Sequence, residues 1–187
     1  MGLMARDRSN QSPGGGFRPG ARFKPGARFK PGAGFKVVTG GQTGVDRAAL
    51  DAALDGGVPC GGWCPAGRWA EDGPIPARYP LIETPETDPA FRTRRNVADG
   101  DGTLIIVDGA PDQGSRLACA AARELGRARL TVDLSQTAPD AARARVAAWI
   151  ARENISVLNI AGPRESSAPG IYSRAYDLLT SLFAGLK

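Results

Sequence analysis

The sequence contains no histidine. That removes the side chain best suited to proton transfer near neutral pH, and with it the commonest metal ligand. Only three cysteines are present, Cys60, Cys64 and Cys119. An odd number argues against a disulfide framework and fits a reducing cytosol, so a cytoplasmic location is expected. Without histidine, a four-ligand zinc site near Cys60 and Cys64 would have to borrow carboxylates, and no zinc is expected. Direct coordination of a softer metal by Cys64 stays open. No run approaches the roughly 18 apolar residues of a membrane span. The basic start of the chain has no apolar run behind it, so no secretory signal is expected either.

What is present suits one soluble domain: 187 residues, 42% hydrophobic and 23% charged. The net charge of +5 is unevenly spread. Residues 1–36 hold eight basic side chains against Asp7 alone, leaving sixteen basic and eighteen acidic residues in the remainder. The basic character therefore belongs to the tail. Residues 1–34 carry a six-residue repeat, Phe17 to Arg22, Phe23 to Arg28 and Phe29 to Gly34. Its recurring Pro-Gly rules out a helix or an interior strand, and one aromatic per unit cannot close a core, so this segment is expected to be disordered. It is either a solvated extension or a weak sticker for nucleic acid through its cations and stacking Phe rings. No other nucleic-acid contact is expected.

From residue 35 to 187 the pattern is that of an α/β domain. Short apolar runs at 36–39, 103–107, 130–134 and 155–160 read as strands. Helical spacing fills 45–54, 115–125 and 139–152, and the last helix stacks Tyr172, Ala175, Leu178, Leu179 and Leu182. Strands alternating with helices predict a doubly wound, mostly parallel, Rossmann-like sheet. Residues 58–92, rich in proline and glycine and without helical period, read as an ordered flap over the sheet edge. Arg92, Arg94 and Arg95 beyond it read as a solvated helix face or a basic rim.

Ligands of an open parallel sheet lie beyond the carboxyl ends of its strands, where three loops fall. The first is Gly40-Gly41-Gln42-Thr43-Gly44-Val45-Asp46. Its backbone amides can approach an anion at a helix start, with Thr43 as a donor and Gln42 to read a polar edge. It lacks the Lys-Ser/Thr ending of a Walker loop, and a tight turn with no ligand is the alternative. The second loop ends in Gly114-Ser115, which either caps the next helix or donates to the same anion. The third contains Gly162, Arg164, Glu165 and Ser166, with Arg164 placed to bind an oxyanion bidentately. In the flap, Trp63 and Arg68 could cover a flat heterocyclic anion. Glu71 and Asp72 are the carboxylates available to polarise water.

Several of these stretches occur together in one known family. Gly40-Gly-Gln-Thr-Gly-Val-Asp-Arg-Ala-Ala-Leu50, Gly62-Trp-Cys-Pro-x-Gly-Arg68, Ala70-Glu-Asp-Gly-Pro-Ile-Pro76, Arg92-Thr-x-x-Asn-Val97 and Asn159-x-Ala-Gly-Pro-Arg-Glu-Ser166 resemble, in order, motifs of the putative molybdenum carrier family. The resemblance covers about residues 36–185. It implies a circularly permuted member of the Rossmann-like group that includes nucleotide sensors and lysine-decarboxylase-like hydrolases. It further implies a cytosolic homo-oligomer, a tetramer, that carries or stores molybdenum cofactor or molybdate without transforming it, with a molybdoenzyme as recipient. A nucleotide sensor or nucleotide hydrolase of the same group is the alternative. The hydrolases' Pro-Gly-Gly-x-Gly-Thr-x-x-Glu signature is missing here. Many relatives carry Gly-Gly-Thr where this chain has Gln113-Gly114-Ser115, which keeps the hydroxyl but loses one glycine.

Overall fold

Six parallel strands in the order β5-β2-β1-β8-β6-β7 form the frame of the protein in a computed structural model that describes residues 34–185. The repeat-bearing tail lies outside the described residues. The central strand β1 (Lys36–Val38) is only three residues long. It pairs with β2 (Cys60–Cys64) on one side and β8 (Val157–Ala161) on the other. Beyond β8 come β6 (Gly102–Val107) and the edge strand β7 (Ala128–Asp133).

The helices follow the apolar periodicity. On one face of the sheet α1 (Val45–Asp55), α4 (Pro139–Arg152) and α5 (Ile171–Ala184) close the main core. They pack on Val37, Leu104, Ile106, Val132, Leu158 and Ile160, all buried. On the other face α2 (Pro89–Asp99) and α3 (Gln113–Glu124) lie against each other through Val97, Ala118, Ala121 and Ala122. Burial on both faces is what a run such as Leu104-Ile-Ile-Val107 is for. The polar exceptions are placed by the same alternation. Asn159, between Leu158 and Ile160, points to the α2–α3 face and donates to Thr103 Oγ1 at 3.2 Å.

The segment 58–92 differs from the expected flap. Two of its stretches, β2 and β5 (Leu81–Glu83), join the main sheet in parallel and extend it past β1. Glycines obscured this. Gly61 and Gly62 have little strand propensity, yet Gly62 sits at φ 131° and a Cβ there would fall 2.2 Å from Thr39 O. Close approach to β1 therefore demands glycine inside a strand. Between β2 and β5 the chain makes a small hairpin, β3 (Trp69–Ala70) with β4 (Gly73–Pro74). Its satellite core is Leu50, Cys64, Ala70, Ile75, Tyr79 and Leu81. Arg68 ties it down: the guanidinium donates to the carbonyls of Ile75 (2.9 Å), Leu81 (3.1 Å), Pro76 (3.0 Å) and Tyr79 (3.0 Å). No other side chain offers that many donors in a planar fork.

Replacing Arg68 by lysine keeps the charge but loses the fork. We expect Arg68→Lys to destabilise the fold by about 1–3 kcal/mol, read from a urea unfolding midpoint at unchanged slope.

Candidate functional site

The glycine loop after β1 meets the predicted third loop through a carboxylate from the hairpin. Glu71 accepts from Thr43 Oγ1, Ser166 Oγ and Ser166 N (3.1 Å), and Arg164 Nε lies 3.5 Å from it. Glu71 N in turn donates to Gln42 Oε1 at 3.0 Å, and Glu165 N donates to Thr43 Oγ1 at 3.2 Å. Burial alone would push the Glu71 carboxyl up. The donors from Ser166 and Thr43, with the Arg164 charge, outweigh it and hold the group below its ordinary range.

The cradle amides are largely engaged by the protein itself. Gln42 N donates to Asp46 Oδ2 (3.4 Å), Thr43 N to Gln42 Oε1 (3.0 Å) and Val45 N to Pro163 O (3.2 Å). The space for a ligand opens beside the loop. A cavity of about 380 Å³ is walled by Gly40, Gln42, Asp46, Gly114, Gly162 and Arg164 from the expected set. Its other walls come from the starts of α2 and α3, from Arg92 and Asn96, and from the end of β8. Two helix N-termini thus face one space at the carboxyl ends of β1 and β8. Asp88 caps α2, accepting from Ala90 N at 2.9 Å, and Asp112 caps α3, accepting from Ser115 N at 2.7 Å.

Arg92 is the residue that sequence reasoning left undecided between a solvated face and a basic rim. It is almost buried, and Nη1 donates to Asp46 Oδ2 at 2.9 Å, with side chains 14% and 4% exposed. Its guanidinium fills the space beside Gly40: a Cβ there would come within 1.3 Å of Arg92 Nη1. A side chain at the first cradle glycine would therefore have to displace the Arg92 guanidinium. Arg92 Nε, and Thr39 Oγ1 just before Gly40, are buried without a hydrogen-bond partner among the described residues. The signal in sequence was Arg92 and Asn96 at helical spacing after the Asp88-Pro89 start.

Other expected residues have structural tasks. Arg68 holds the hairpin, as above. Trp63 donates from Nε1 to Asp99 Oδ2 at 2.8 Å and stacks under Arg95, away from the cavity wall. Trp69, half exposed, is the aromatic that lines it. Asp72 makes a bidentate pair with Arg47, both distances 3.2 Å. The Ser115 hydroxyl donates to Asp112 at 2.6 Å, and Glu165 caps the start of α5, accepting from Tyr172 N at 3.0 Å. Gly41 and Gly44 supply positive φ: a Cβ on Gly41 would strike Leu81, and one on Gly44 would strike Pro163 O. Cys64 is packed in the satellite core, where burial raises its thiol pKa.

The family described as the Circularly permutated YpsA SLOG family matches residues 37–183. The chain belongs to it. It is also 44% identical to the crystal structure of "Putative molybdenum carrier protein" from Syntrophus aciditrophicus SB, with a TM-score of 0.77. That similarity covers 79% of this chain and 93% of the other. No curated protein matches. The family resemblance drawn from the motifs stands, and with it the Rossmann-like α/β fold.

Glu71 carries a pH dependence. Its folded pKa lies below the ordinary 4.5, so its contribution to stability is present above that value and is lost as pH falls through the folded one. We expect Glu71→Gln to be less stable than the parent at pH 7 and the difference to shrink as pH drops below about 4.5, measured by chemical denaturation.

Proposed function

We propose that the protein binds an oxyanionic molybdenum species, the phosphorylated pterin cofactor or molybdate, in the cavity at the ends of β1 and β8. The observation that carries this is Arg92: a nearly buried guanidinium in the cavity wall whose Nε has no partner among the described residues. A buried donor left unpaired costs about 1–3 kcal/mol, which a ligand oxygen would recover. Arg164, half exposed at the rim, supplies a second cation. The first-turn amides of α3 at Gln113 and Gly114 have no intrahelical partner, and they favour negative charge. The volume falls within the usual range of roughly 300–1,000 Å³ for small-molecule sites, and Trp69 offers a ring face to a flat pterin.

The 44% identity to a protein named as a molybdenum carrier supports the molybdenum part of this reading. Glu71 and Asp72 are held by Thr43, Ser166 and Arg47, so they serve as positioning residues in it rather than as acid and base. The protein acts here as carrier or store. The reading extends to a cytoplasmic homo-oligomer, a tetramer, that hands its cargo to a molybdoenzyme. Among the described residues no helix is long and apolar enough to cross a membrane.

Equilibrium titration with molybdenum cofactor and with molybdate tests this. Micromolar binding is expected, weakened about ten-fold or more in Arg164→Ala, whose side chain is exposed enough to be removed without unfolding. Absence of binding, or equal binding by the variant, would defeat it. A thermal shift with ADP-ribose or NAD but not with molybdenum ligands would move the site to the nucleotide alternative.

A further inference from the structure

A second depression, of about 240 Å³, lies between α3 and the edge strand β7. Arg116 and Arg123 border it from α3, two turns apart on one helix face and so roughly 10 Å apart along the axis. Arg129 and Thr131 border it from alternate positions of β7, on one sheet face, and Ile105 and Cys119 also line it. All three arginines are exposed.

Their charge is not neutralised locally. Arg116 Nη1 donates to Pro111 O, while among the described residues the side chains of Arg123 and Arg129 have no hydrogen-bond or ion-pair partner. The nearby carboxylates are turned elsewhere. Glu124 pairs with Arg94 at 2.7 Å, Asp112 caps α3, and Asp133 accepts from Gly109 N and Ser135 N at 2.9 Å. Composition does not explain the cluster, since residues 37–187 carry sixteen basic against eighteen acidic side chains.

We propose that this depression is a second anion site that takes a diphosphate, either inorganic pyrophosphate or the diphosphate group of a nucleotide. Three guanidinium forks on two sides of a narrow groove match a short chain of phosphate oxygens better than a single oxyanion, which one or two forks would satisfy. The volume is below that of a site enclosing a whole drug-sized ligand, so the remainder of a nucleotide would lie outside. The inference does not rest on the reading of the first cavity. The competing account is that the arginines only discourage another strand from pairing with β7.

Cys119 provides a local reporter. The full-length protein would be alkylated with iodoacetamide, a neutral reagent, and the rate followed at each cysteine by mass spectrometry. Cys64 is buried and the Cys60 thiol is pushed up to about 11 by burial and the Asp51 charge, so both serve as slow internal references. Pyrophosphate is expected to slow Cys119 alone, about ten-fold when present at ten times its Kd, and Arg123→Ala/Arg129→Ala is expected to abolish the protection. Equal protection by ADP assigns the site to nucleotide diphosphates, and protection by pyrophosphate alone assigns it to the inorganic ion. The proposal is overturned if Cys119 is not protected or if ADP protects while pyrophosphate does not. It is overturned equally if sodium chloride at equal ionic strength protects as well, or if protection persists in the double variant.

Discussion

The Glu71 carboxylate is the joint on which the cavity end of this protein depends. It draws together three segments remote in sequence, the loop after β1 through Thr43, the β3–β4 hairpin through itself, and the loop after β8 through Ser166 and Arg164. A carboxylate can do this because it accepts several bonds at once, here from a half-buried hydroxyl at Thr43 and from an exposed hydroxyl and amide at Ser166. The hydrogen bonds outweigh burial, which by itself would raise the carboxyl pKa, and hold the group below its ordinary range.

Once those loops are fixed, the cavity follows from the sheet. β1 and β8 are neighbours, so their carboxyl ends open into the same space, and α2 and α3 deliver their N-termini from one face. The balance of charge there is decided by Arg92. Paired with Asp46, it offsets the charge of a buried acid, while among the described residues its Nε has no hydrogen-bond partner. Gly40 is the cost of that arrangement, because any side chain would displace the guanidinium. The surface beyond α3 is organised differently, with cations that no acid answers, which separates the two depressions chemically as well as in space.

Much of the frame was legible from local pattern. The apolar runs at 103–107 and 155–160 and the helical stripes at 45–54, 139–152 and 172–182 have their counterparts in β6, β8, α1, α4 and α5, shifted by at most two residues at their ends. Asp112, rather than the expected Gly114-Ser115, caps α3, and Asp88 caps α2. β2 and β5 were not legible, because Gly61 and Gly62 interrupt β2 and β5 is only three residues long; β2 is recruited by pairing with β1, and β5 by pairing with β2. Within the site, Gly40, Gln42, Asp46, Gly162 and Arg164 reach the cavity as the motif positions suggested, whereas Trp63 and Arg68 do not.

Sequence by itself determined the α/β class, the family, and the placing of the glycine loop at a strand end, since each depends on periodicity or on residues close together in the chain. Only the tertiary structure decided what those residues contact. Arg92 meets Asp46 across 46 positions and Ser166 meets Glu71 across 95. Whether an arginine binds ligand, cancels an acid or holds a hairpin is set by which donors and acceptors the fold brings within hydrogen-bond reach, and that distance is not written in the order of the chain.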